Sequence, residues 1–242
     1  MNPGPAVRIA LVVAGLAACK GGAGPDAMPP DLGDAGACTS GTHLLYLAQG
    51  GGSYSPGATD ARANTAEVLP GTAAVDVQPY PWAPVRWDNM VLCVKNGLAP
   101  FDVQVTEDDP GTADHWEMVL TTSSHSMGLA DGLWTASPLT CGLIPDGISF
   151  IFAGTLGTSS ELSCMAVLSE FGHLQGLEHV IACDDVMGEE PGCDLEDPGR
   201  SYTDKDAHCG ITGPTSCMCD RGPAETQNSW QGMIDALGPC PD

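Results

Sequence analysis

The strongest constraint on this chain is the stretch from Glu161 to His179, where the best helix in the sequence runs into a glycine. Ser159 or Ser160 can cap a helix predicted over 161–175. That helix carries Ser169, Glu170 and His173, and His179 follows beyond Gly176. Side chains at i and i+4 share a helix face, which puts Ser169 and His173 on one side. A single Glu170 or His173 would ordinarily be a surface group or a satisfied polar group of the core. Met187 alone would be an ordinary apolar contact. Their joint spacing is harder to assign to chance.

The run Ser169-Glu170-Phe171-Gly172-His173-Leu174-Gln175-Gly176-Leu177-Glu178-His179 resembles the motif H-E-x-x-H-x-x-G-x-x-H of the metzincin (matrixin-like) zinc metallopeptidases, with Ser169 where the first His stands. Met187, eight residues past His179 in Asp185-Val186-Met187-Gly188, is similar to the Met-turn of that clan. Leu98-Ala99-Pro100-Phe101-Asp102-Val103-Gln104-Val105-Thr106 resembles a strand entry of bacterial secreted proteins of this type. The resemblance implies an α/β (α+β) fold. A mixed twisted sheet is expected, with one helix before it and the active-site helix after it, followed by the Met-turn and a C-terminal helix. It also implies zinc as cofactor, His173 and His179 as metal ligands, Glu170 as general base and Ser169 as a degenerate ligand position. Such sites acidify a zinc-bound water, whose proton the glutamate takes before attack on a peptide carbonyl.

Ser169 decides how much of that chemistry survives. An un-ionised hydroxyl is a poor zinc donor on a shorter arm than an imidazole. Losing even a group that only supports a ligand commonly costs about 10–100-fold in metal affinity, and losing a ligand costs more. A weakened zinc site is expected, with peptide-bond hydrolysis weakened or lost. Asp184, Asp185, Glu189 and His208 have the chemistry to fill the gap. The alternative is a non-catalytic pseudopeptidase that binds a peptide or protein partner in the old cleft. A third is an envelope domain that is only a disulfide-stapled scaffold.

The N-terminus bears on location. Arg8 precedes the apolar run 9–18, too short to span a bilayer and laid out as a secretory signal peptide. Leu16-Ala17-Ala18-Cys19 resembles the bacterial lipobox, which implies cleavage before Cys19 and its lipidation. Lys20 in the next position fits transport to the outer membrane. The expected organisation is a lipoprotein signal peptide over 1–18, the lipidated Cys19 and a flexible Gly/Pro/Ala/Asp tether over 19–37, and one domain over 38–242. The protein is thus expected to be extracytoplasmic and lipid-anchored to the cell envelope. Of 11 cysteines, lipidation of Cys19 leaves ten, all able to pair in an oxidising compartment. A formal charge of −23 argues against a nucleic-acid partner and against adhesion to anionic lipid, which leaves the lipid anchor as the only membrane contact.

Other elements follow from pattern. Strands are expected at 42–48, 101–105, 116–121 and 148–153, and a helix over 87–96, capped by Asp88 and ended by Gly97. A final helix is expected over 226–237, with Trp230, Met233, Ile234 and Leu237 on its apolar face. The acidic stretch 184–197 lacks a D-x-D-x-D-G calcium loop and reads as solvated. Ser124-His125-Ser126 lacks a defined acidic partner for a hydrolase triad, and Gly50-Gly51-Gly52 lacks the lysine of a phosphate loop.

Overall fold

The computed structural model describes residues 8–13, 37–218 and 225–241, the first group as backbone alone. Cys19 and nearly all of the tether lie outside the described residues. In chain order the elements are β1 (Arg8–Val13), β2 (His43–Ala48), β3 (Ser53–Pro56), β4 (Thr65–Ala66), β5 (Val75–Asp76) and α1 (Pro84–Leu98). Next come β6 (Val103–Thr106), β7 (Trp116–Thr121), β8 (Leu133–Leu139), β9 (Ile148–Phe152), α2 (Ala153–Leu156) and α3 (Ser160–Leu174). The chain closes with β10 (Asp206–His208), β11 (Thr226–Asn228) and α4 (Ser229–Leu237). The fold is mixed α/β.

Six strands form the main sheet in the order β1-β8-β9-β7-β2-β6. β6, β2, β7 and β9 run parallel, while β8 is antiparallel to β9 and β1 is antiparallel to β8. A parallel sheet needs cover on both faces, and β7 and β9 are buried along their whole length. Side-chain alternation splits the core accordingly. Leu45, Leu47, Met118, Leu120 and Ile151 face α1 and α3. Val119, Ile148, Phe150 and Phe152 face the small β4-β3-β5 sheet with Tyr54, Val68, Leu69 and Val77.

The helix α3 is buried in all but three of its 15 residues. A helix apolar on nearly every side belongs inside a domain, so its polar residues are internal too. The Ser159 hydroxyl accepts from Leu162 N at 3.1 Å, as the sequence led one to expect of that cap. The disulfide Cys93–Cys164 staples α3 to α1. Cys38–Cys240 ties the start of the domain to its end, and Cys183–Cys193 and Cys209–Cys217 close two loops after α3.

Several expectations shift by a few residues. Pro84 occupies the first turn of α1 with Ala83 as cap, so Asp88 lies inside the helix and Gly97 does not end it. Residues 226–228 form β11 against β10, and Asn228 caps α4 by accepting from Gln231 N at 2.9 Å. The strand β8 had no counterpart in the sequence reading. Among the described residues no helix is long and apolar enough to cross a membrane.

Candidate functional site

The C-terminal end of α3 sets the geometry. The chain leaves the helix through Gly176, whose φ of +83° lies where side chains other than glycine are strained. That turn folds His179 back onto His173, and the two rings meet edge-on with centroids 4.5 Å apart. His173 Nδ1 stands 2.8 Å from the Leu177 carbonyl, which can only accept. Nδ1 therefore carries the proton, and Nε2 keeps its lone pair. Both His173 Nε2 and His179 Nδ1 are buried without a hydrogen-bond partner. Unpaired buried acceptors are costly, and a ligand shared by the two rings would satisfy both. Burial pushes the His173 pKa down, and burial followed by the proximity of His173 pushes His179 down to about 3. Both rings are neutral, the form in which imidazole binds a metal.

Met187 packs against the helix that carries His173 and bonds to the residue after His179. It is fully buried and packs against Gly172 of α3. Its carbonyl accepts from Val180 N at 3.0 Å, and its own amide donates to Asp185 Oδ1 at 2.9 Å. The buried Asp185 also accepts from Thr203 N, Thr203 Oγ1 and Ser229 Oγ, which pins the turn to the first residue of α4.

Glu170 points toward β8. Burial pushes its pKa up to about 7, with the hydroxyls of Thr135 and Ser137 working against that shift. Its Oε2 and the Ser169 hydroxyl are buried and unpartnered. Both residues line a cavity of about 30 Å³ with Thr135, Glu189 and Arg200 around it, room for a water or two. Glu189 Oε2 stands 3.7 Å from His179 Nδ1, which is no ion pair because the ring is neutral. Burial, then the charge of Glu170, raises the Glu189 pKa to about 7. The buried Arg200 holds the adjoining turn by donating to the carbonyls of Asp185 and Gly188.

The four residues named for the missing ligand separate cleanly. Asp184 pairs with Lys205 at 2.7 Å at the surface, Asp185 is consumed by the turn, and His208 is exposed beside the Glu225 carbonyl. Glu189 is the one that reaches the site. Among the described residues, two clusters bring three donor atoms within 4.8 Å of one another: Glu178–Cys209–Cys217 and Cys183–Glu190–Cys193. In each the sulfurs are committed to disulfides and cannot act as thiolate ligands.

Arg200 and Glu189's position escaped sequence reasoning, and the one available signal was that Gly188-Glu189 follows Met187 directly between Cys183 and Cys193. The run Ser124-His125-Ser126 forms no triad. His125 Nδ1 pairs with Asp131 at 2.8 Å, but Ser124 and Ser126 donate to the carbonyls of Ala130 and Ser123. Comparison with known protein families, characterised proteins and solved structures finds no match. The site therefore rests on its own geometry.

Proposed function

We propose that the chain is a lipoprotein of the bacterial cell envelope, anchored in the outer membrane, whose domain is a metzincin-like zinc metallopeptidase with peptide-bond hydrolysis weakened or lost. The observation that carries this reading is the pair of neutral, adjacent imidazoles, each with a buried nitrogen that lacks a partner. These donors fit zinc, and the Leu177 carbonyl fixes the His173 tautomer in the way ligating histidines are fixed. Zinc held there would supply Lewis acidity and an acidified water. Glu170, poised near neutrality, can take a proton at Oε2 and return it. The cavity beside it admits water.

The test is metal analysis of the full chain after zinc-replete refolding, together with hydrolysis of a mixed peptide pool. One zinc per chain is expected, lost in His173→Ala, with any residual cleavage abolished by Glu170→Gln. Wild type without zinc sinks the reading.

A second reading, a peptide-holding pseudopeptidase, draws on β8. Its outer edge takes up an extended segment, Arg8–Val13, antiparallel from Arg8↔Leu139 to Val13↔Leu133. An edge that accepts one extended segment can accept another through its main chain. This reading expects peptide binding without turnover, with amide shifts confined to 133–139, and zinc-dependent cleavage by wild type would exclude it.

A further inference from the structure

Resting on the zinc reading above, we infer that Glu189 supplies the donor that Ser169 lacks, giving a site of two imidazoles and one carboxylate rather than three imidazoles. Donors about 2.1 Å from a tetrahedral zinc stand roughly 3.4 Å apart. Glu189 Oε2 and His179 Nδ1, at 3.7 Å, are within a few tenths of that separation. With His173 the three donors do not all come within 4.8 Å of one another, so closing such a site requires a side-chain shift. A glutamate has the rotatable bonds for such a move, whereas the Ser169 hydroxyl sits on a single bond from Cβ.

The loop is built to deliver this side chain. Gly188, its neighbour, is gripped by Arg200 through its carbonyl, and Asp185 fixes the turn that precedes it. The disulfide Cys183–Cys193 closes the loop around residue 189. The carboxylate also faces the cavity shared with Glu170 and Ser169, on the side of α3 where the first ligand of the resembling motif would stand. A carboxylate on zinc in place of a neutral imidazole removes one unit of positive charge from the site. Zinc with such a set remains within known catalytic chemistry, which uses two histidines and a glutamate in other metallopeptidases.

The experiment titrates the full chain with zinc against a chromophoric chelator, comparing wild type, Glu189→Gln, Asp184→Asn, His173→Ala and the double variant Ser169→His/Glu189→Gln. The expected result is one zinc in wild type, unchanged in Asp184→Asn and lost in His173→Ala. Glu189→Gln should weaken binding at least 100-fold, beyond the 10–100-fold typical of a merely supporting group. Ser169→His should restore binding in the Glu189→Gln background, which shows that the single variant still folds. Glu189→Gln binding zinc like wild type while His173→Ala does not would overturn this inference and leave the zinc reading standing. Wild type without zinc overturns both.

Discussion

Gly172 and Met187 meet so closely that a Cβ on residue 172 would lie 2.5 Å from the Met187 sulfur and 3.2 Å from its terminal methyl. The absence of a side chain at 172 is what lets the turn carrying Met187 pack against α3. Gly172→Ala gains about 1 kcal/mol of helix propensity. It must also displace a fully buried methionine, and overpacking of that kind costs about 1–3 kcal/mol. The clash wins. Urea denaturation should show a net loss of about 1 kcal/mol, and the same substitution in a Met187→Ala background should cost less or stabilise. A Gly172→Ala penalty unchanged by Met187→Ala would place the strain elsewhere.

Asp185 holds the same turn from the other side. Its buried carboxylate accepts from Met187 N, Thr203 N, Thr203 Oγ1 and Ser229 Oγ. Truncation to alanine leaves these donors unpaired in the interior, at about 1–3 kcal/mol for each that water cannot reach. Asp185→Ala should therefore lose at least about 3 kcal/mol in urea melts, and hydrogen exchange should quicken at the amides of Met187 and Thr203. A surface-like loss under about 0.5 kcal/mol would contradict the network.

How much of this was legible beforehand depended on whether the signal was local. α3 could be read because cap, apolar content and stop all lie within one stretch, Ser159 to Gly176. The pairing of His173 with His179 was implied by the resemblance of residues 169–179 to the metzincin motif rather than by local pattern. By contrast, β8 was missed because Leu133-Trp-Thr-Ala-Ser-Pro-Leu mixes small polar residues and a proline where alternation was sought. Its Thr135 and Ser137 are buried because they face Glu170 and the interior, a reason invisible without the partner. Glu189 was one candidate of four, since only the disulfide Cys183–Cys193 and the grip of Arg200 decide which acid turns inward. Non-local ties of that kind leave no periodicity. Within residues 1–18, expected to be a signal peptide, Arg8–Val13 forms the edge strand β1, since an apolar β-branched run can pair with any open edge.

Away from α3, Glu117 makes stability depend on pH. It is buried on β7 and accepts from the Tyr54 hydroxyl at 2.7 Å, while its Oε2 has no partner. Burial is the main cause raising its pKa from 4.5 to about 7, Asp109 adds to it, and the Tyr54 bond opposes it. The folded chain thus keeps a proton that the unfolded chain releases, so stability falls as pH rises from about 4.5 to 7. At about 1.4 kcal/mol per pKa unit, the loss above pH 7 is about 3 kcal/mol. Glu117→Gln keeps an acceptor for Tyr54 and cannot ionise. Denaturation midpoints should match wild type at pH 4 and exceed it at pH 8. Glu170 and Glu189, raised in the same direction, leave part of the slope in place in zinc-free protein. Equal gains at both pH values would remove ionisation as the cause.

Cys141 is exposed and has no disulfide partner among the described residues. Eight of the 11 cysteines are joined in four disulfides, and Cys19 stands in the run 16–19 that resembles a lipobox. Cys141 and Cys219 remain. The Cys141 sulfur lies 3.4 Å from the carbonyl oxygen of Met218, and Cys219 is the next residue in the chain. In an oxidising compartment two cysteines left over in this way should join. The link would tie the β8–β9 connection to the segment stapled by Cys209–Cys217 and constrain a loop of nearly 80 residues, about 4 kcal/mol on the chain-entropy account. Peptide mapping without reduction should recover a Cys141–Cys219 cross-link, and Cys141→Ser should expose Cys219 to alkylation and lower the thermal midpoint. Recovery of both residues as alkylated thiols from unreduced wild type would refute the link.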